Sequence, residues 1–365
     1  MRLFFINITL LFLLNCCTNE KIKVNLDTEI IIPKSYTVLY TNEDIKIDGK
    51  DEEIAWKKSV YSDDFVDIEG IKKPSQKTNV KMLWNDKYLY VFAKLYEKHI
   101  WADITKRDEV IYYNNDFEVF INPNKHVFSY GEIEINALGT EWDLFLNKPY
   151  RLKGKADSSW NLKGLKSAVF VNGTINNPND IDEYWNVEMA IPLDEISELK
   201  EPFDYHFPKA GDTWRINFSR VNWDFELVED KYSRKKINDK FLPEYNWVWS
   251  PQGIINMHVP ENWGFLKFSY DNFDFKKNNN NSLEIYAEQV LYALFRKISF
   301  NELKHLQNIG TNKKIKFENI ITNNQEISCN FLKTENGFII TVIDIKNNIR
   351  LSISENGLIK KYKND

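Results

Sequence analysis

The chain has 365 residues and a formal net charge of −5 at pH 7. Its Lys and Arg are interspersed with Asp and Glu, so it lacks the basic stripe that nucleic acid requires. Three cysteines, two of them adjacent near the N-terminus, exclude a disulfide framework and a zinc–thiolate cluster, and leave Cys329 as a small buried hydrophobe.

Arg2 is followed by an apolar run from Leu3 to Leu14, broken only by Asn7 and Thr9, and then by Cys16 and Cys17. That run is too short to span a bilayer as a helix but suits the core of a signal peptide. The sequence Leu13-Leu14-Asn15-Cys16-Cys17 resembles the lipobox of bacterial lipoproteins. Residues 1–17 are therefore expected to be a lipoprotein-type signal peptide, with lipidation at Cys16 or Cys17 and a membrane-anchored place in the bacterial cell envelope, on the outer membrane or surface.

Residues 36–269 show short alternating or apolar runs separated by turn residues, the pattern of an all-β body. Val80 to Trp84 and Tyr88 to Leu95 flank Asn85-Asp86, which is expected to form a tight hairpin through positive φ angles. Two later runs, Asp116 to Asn122 and Glu132 to Leu138, alternate polar and apolar residues. Because a strand repeats every two residues, Asp116, Glu118 and Asn122, with Phe120, share one face, and Glu132, Glu134 and Asn136 share the matching one. Trp142-Asp143 and Lys148 to Arg151 are read as a loop rich in rings and charges. Further strands are expected at Leu165 to Val171, Trp185 to Ile191, Trp214 to Val221 and Gly264 to Phe268, with a short helix after Pro192. Trp84, Trp185 and Trp214 belong to the core in this reading. The architecture expected is mainly β: an antiparallel two-sheet β-sandwich.

Residues 270–282 are Asn-rich and polar, and are read as a linker. Residues 283–365 open with a helix capped by Ser282, whose Ile285, Tyr286, Val290, Leu294 and Ile298 form a 3.6-residue stripe. Strands follow around Ile315 to Ile321, Ile327 to Lys333, Phe338 to Ile345 and Arg350 to Ser354, with turns at Asn336-Gly337 and Asn356-Gly357. A small α+β domain, one helix on an antiparallel sheet, is the expectation.

Seven motifs occur in order: IDGK (Ile47 to Lys50), VKMLWNDKYLYVFAKL (Val80 to Leu95), NDFEVFI (Asn115 to Ile121), WNVEMAIP (Trp185 to Pro192), GDTWRINFSR (Gly211 to Arg220), NWVWSPQG (Asn246 to Gly253) and ENWGFLKF (Glu261 to Phe268). This succession resembles carbohydrate-binding module family 9, in its stand-alone bacterial form. The resemblance implies a β-sandwich that holds a sugar between aromatic side chains over a polar strand face. It carries the family's acidic residue onto Glu118, a stacking ring onto Tyr112 and a polar strand residue onto Asn136, with Glu134 where the family has a basic residue. The second stacking ring falls at Met257 or nearby, with Trp247 or Trp249 as rings that could replace it.

Three readings of Glu118 and Glu134 stay open at this point. They could accept hydrogen bonds from sugar hydroxyls, form a solvated or ion-paired strand face, or act as the paired acids of a retaining glycosidase, which stand roughly 5–5.5 Å apart. Arg215 and Asn217 share a polar strand face, where Arg215 could fork to hydroxyls or pair with Asp116 or Glu118; Trp142 completes the candidate set. The five histidines lack H-x-x-x-H spacing, and no common nucleophile or nucleotide motif occurs. Adjacent Met257 and His258 would point to opposite strand faces and cannot both ligate one haem iron. No cofactor is expected, with calcium on loop carboxylates left open.

The function expected is non-catalytic binding of an oligosaccharide or polysaccharide at the envelope, in support of carbohydrate catabolism and beside glycan-degrading enzymes. The alternatives are a glycoside hydrolase or its accessory subunit, and a structural or haem-carrying envelope protein.

Overall fold

The computed structural model describes residues 21–271, 282–322, 325–344, 346 and 348–362. Cys16, Cys17 and most of the Asn-rich linker lie outside the described residues.

In chain order the larger body comprises β1 (Ser35–Tyr40), α1 (Ile54–Lys58), β2 (Val66–Asp67), β3 (Thr78–Trp84), β4 (Tyr88–Tyr96), β5 (Asp116–Asn122), β6 (Tyr130–Asn136), β7 (Glu141–Leu146), β8 (Ala156–Asp157) and β9 (Lys166–Asn172). It continues with β10 (Tyr184–Pro192), α2 (Leu193–Ser197), β11 (Thr213–Asn222), β12 (Phe225–Val228), β13 (Lys231–Arg234), β14 (Lys236–Ile237), β15 (Lys240–Phe241), β16 (Tyr245–Val248) and β17 (Gly264–Ser269). The main strands hydrogen-bond along one curled path, β8-β7-β6-β5-β11-β17-β1-β3-β4-β10-β9, with β16 joined to β11 and β2. One packed cluster takes Phe117, Val119 and Ile133 from one arm of the curl and Val80, Val91 and Val187 from the other, so the arms face each other across the core. Trp84, Trp185 and Trp214 are all in that core.

Two local expectations are corrected. The sheet is mixed, because β1 runs parallel to both β17 and β3; long connections reach β1 from either side, so no hairpin forces antiparallel pairing. The β3–β4 turn is also displaced: the last ladder pair is Trp84↔Leu89 and the Asn85 amide donates to Tyr88 O at 3.0 Å, so Asp86-Lys87 rather than Asn85-Asp86 lie at its centre. Neither Asn85 nor Asp86 has positive φ. Instead the Asn85 side chain accepts from the Lys87 and Tyr88 amides at 2.9 and 2.8 Å, an Asx-type turn. Positive-φ pairs occur further on, at Glu229-Asp230 and Asn238-Asp239, where they close β12–β13 and β14–β15.

The remaining elements are α3 (Ser282–Phe300), β18 (Lys314–Lys316), β19 (Ile320–Thr322), β20 (Gln325–Lys333), β21 (Phe338–Asp344), β22 (Ile349–Ser354) and β23 (Ile359–Tyr362), in the sheet order β18-β20-β21-β22-β23 with β19 on β20. Helix α3 is apolar well beyond one stripe: Tyr286, Ala287 and every residue from Val290 to Phe295 are buried. The second face meets the larger body and the N-terminal segment. Leu26, Val127 and Phe128 pack in the same cluster as α3 and the small sheet, and Ile22 bridges to Phe317. Polar groups of α3 are satisfied across that contact: Arg215 pairs with Glu288 at 2.5 Å, and Arg296 with Glu261 at 2.8 Å.

Candidate functional site

The polar faces of β5, β6 and β7 come together as the alternation requires. Glu118 lies directly opposite Glu134, Phe120 opposite Glu132, and Asp116 opposite Asn136. On the next strand Trp142 is the partner of Glu134. A slip of one residue would send the apolar set Phe117, Val119 and Ile121 to this face, so the core fixes the register.

Above this floor is a cleft of about 330 Å3, lined by Glu118, Phe120, Glu132, Glu134, Trp142 and Leu144 from the strands. Its walls come from Tyr112, Tyr150, Glu244 and the stretch from Ile255 to His258. Tyr112 sits in a 3-10 turn, Ile111–Tyr113. Glu134 Oε2 accepts its amide at 3.1 Å, and its own carbonyl accepts from Trp223 Nε1 at 2.8 Å. Asn136 braces the same region from outside the cleft, donating to Ile104 O at 2.8 Å and accepting from the Leu138 and Thr140 amides. Tyr150 packs edge-on against His258 at 4.4 Å between ring centroids, and His258 Nδ1 is 3.0 Å from the Tyr130 hydroxyl.

The electrostatics are one-sided. Asp116, Glu118, Glu132 and Glu134 are all buried, and among the described residues no lysine or arginine lines the cleft or ion-pairs with them. Burial is the main reason each carboxyl is held above its usual range, with mutual repulsion adding to it for Asp116, Glu132 and Glu134. Glu118 is pushed up to about 7 by burial. His258 lies 3.9 Å from Glu132, yet burial and then Arg151 lower its pKa to about 4, so it faces the acids as a neutral ring. The indole N–H of Trp142 is shielded and has no partner. Such a cleft offers acceptors or shared protons to hydroxyl groups, and ring faces for an apolar surface.

Tyr112, Glu118, Glu134 and Trp142 are therefore brought together, although Trp142-Asp143 is on strand β7 rather than in a loop. Five other sequence candidates are not, the first being Asn136, which lies outside the cleft. Arg215 shares a face with Glu118 but is four residues further along β11 in register, roughly 13 Å at strand rise, and it pairs with Glu288 instead. Asn217 is consumed by Ser250, donating to its carbonyl and accepting from its amide, both at 2.9 Å. Trp247 and Trp249 belong to the main core. Trp247 lies under the Arg220 guanidinium, and Trp249 lies so close to Gly264 that a Cβ there would fall 2.2 Å from its ring. Met257 does line the cleft, so the other ring faces come from Phe120, Trp142 and Tyr150. Sequence reasoning did not single out Glu244, Asn256 or Tyr150 as site residues; only for Tyr150, within a ring-rich segment, was there a local signal.

Residues 47–202 match the family model described as carbohydrate family 9 binding domain-like. No curated protein matches the chain. Among solved structures, a Bacteroides uniformis protein described as carbohydrate-binding is 17% identical over 65% of this chain and 99% of that one, with a TM-score of 0.46. A carbohydrate binding module family 9 from Caldicellulosiruptor kristjanssonii, solved in complex with cellotriose, is 15% identical over 66% of this chain and 97% of that one, with a TM-score of 0.43. Strands β3 to β10, which include the floor of the cleft, lie in the segment that matches this family model.

Proposed function

We propose that the cleft over β5, β6 and β7 binds a carbohydrate and does not cleave it. The observation that carries this reading is the grouping of Tyr112, Trp142 and Tyr150 around Glu118, Glu132 and Glu134 in one half-open cleft, on strands inside the segment that matches the carbohydrate-binding family model. Rings cover the apolar face of a pyranose while the carboxyl groups meet its hydroxyls. The curled sheet serves as the sandwich on which this surface is built, and residues 283–362 form a helix-and-sheet body fastened to it. An acyl anchor at Cys16 or Cys17 would hold the module at the cell envelope, where it would retain oligosaccharide or polysaccharide for glycan-degrading enzymes.

One observation favours hydrolysis as a second reading: oxygens of Glu118 and Glu134 lie within 4.8 Å of each other, near the retaining-glycosidase spacing. A retaining pair divides the roles of proton donor and nucleophile between its two acids, however, and among the described residues no lysine or arginine lies beside one of them to ionise it ahead of the other. A glycan array with the chain from residue 18 onward, followed by incubation of each bound glycan, tests both. Binding without new reducing ends is expected. Failure to bind any glycan would refute the proposal, and product that disappears in Glu118→Gln would establish hydrolysis.

A further inference from the structure

We infer that Asp116, Glu118 and Glu134 hold a divalent cation of calcium size at the floor of the cleft. One carboxylate oxygen from each lies within 4.8 Å of those of the other two. Two oxygens on a calcium ion at about 2.4 Å can be separated by at most about 4.8 Å, a limit that every pair of the three meets. Strand pairing holds them there: Glu118 and Glu134 are a directly opposed pair, and Asp116 is the next residue along β5 on the same face.

The second observation is an orphaned atom. Asp116 is fully buried; its Oδ1 accepts from the Val221 amide at 3.3 Å, while its Oδ2 is buried with no partner at all. A buried acceptor without a donor costs free energy, and a cation shared with Glu118 and Glu134 satisfies it. Glu132, on the same face two residues from Glu134, adds negative charge beside the three ligands. Calcium takes six to eight oxygens, so the remaining positions open toward the cleft and would accept water or a ligand's hydroxyls. Loop carboxylates play no part: all three ligands are on strands.

The cation site does not depend on the sugar reading, and its test contains no sugar. The chain from residue 18 onward, stripped with chelator, is titrated with CaCl2 by calorimetry and melted with and without about 1 mM Ca2+, a concentration at which extracellular calcium modules are occupied. A melting shift of about 5 °C is expected from that occupancy. Asp116→Asn and Glu134→Gln should each melt higher than the parent without calcium, because burial and repulsion are relieved, and should lose at least tenfold in calcium affinity. Glu118→Gln serves as the further variant should one of these not fold. No heat and no shift with the parent at about 10 mM Ca2+, or equal affinity in parent and folded variants, would overturn the inference.

Discussion

Glu261 accepts a 2.6 Å hydrogen bond from Arg151 Nη2 with one carboxylate oxygen, while the other takes Arg296 Nη1 of α3 at 2.8 Å. Arg151 adjoins Tyr150 of the cleft, so a single fully buried carboxylate ties a cleft wall, β17 and the C-terminal helix together. Burial alone would raise the pKa of Glu261, but Arg151 and Arg296 outweigh it and hold it below the usual range. Glu261→Ala leaves two guanidinium groups facing each other without their anion. A loss of about 3–5 kcal/mol is expected in chemical denaturation, as for other broken buried pairs. An unchanged denaturation midpoint would show that the two bodies do not depend on this link.

Cleft rings should matter for affinity rather than for folding. Tyr112 and Trp142 are only partly buried, and each offers a face to the cleft. Tyr112→Ala or Trp142→Ala is expected to weaken a ligand found on the array by roughly 1–3 kcal/mol, the range of stacking between flat ligands and aromatics. Calorimetric titration reads the effect, with thermal melting as the folding control. Normal melting and parental affinity in both variants would move the binding surface elsewhere.

The core tryptophans should behave in the opposite way. Trp249 is packed against Gly264 and Phe218, so Trp249→Ala should cost about 3–5 kcal/mol in stability. Gly264→Ala should also destabilise, since its new methyl would meet the Trp249 ring. In whichever variant remains folded at low temperature, ligand affinity should be close to that of the parent; a specific loss of binding at full stability would return Trp249 to the site.

What could be read from the sequence was whatever a two-residue period determines. Glu118, Glu132 and Glu134 share a face because Val119, Ile133 and Ile135 must share the other, and that constraint is local. The partner of a polar side chain is not determined locally. Arg215 looked equally suited to Glu118 and to a sugar, and its actual partner, Glu288, lies 73 residues away on another body. The cleft walls at Glu244 and at Asn256 to His258 lie more than 100 residues from β5 and β6, and no periodicity connects them. Trp247 and Trp249 occupy alternate positions that point one way, and only the packed structure tells whether that way is core or solvent.

A last prediction follows from Glu188 on β10, away from the cleft. Its Oε2 accepts from the Asp48 and Gly49 amides and its Oε1 from Trp56 Nε1, each at 2.9 Å. Burial nevertheless outweighs these donors and pushes its pKa up to about 7 from an ordinary value of 4.5. Between those values the folded state keeps a proton that the unfolded chain has released. Stability contributed by this group is therefore present below about pH 4.5, falls as pH rises through the window, and is lost above about pH 7. Glu188→Gln cannot titrate, so its melting temperature should decline less than that of the parent between pH 4.5 and 7. The variant should also melt lower than the parent at pH 5, because an amide places two N–H donors where only acceptors are wanted, a defect of about 1–3 kcal/mol. Melting curves of both proteins at half-unit steps test the sign directly: parallel pH profiles would mean that Glu188 is ionised throughout, its charge held by the three N–H donors.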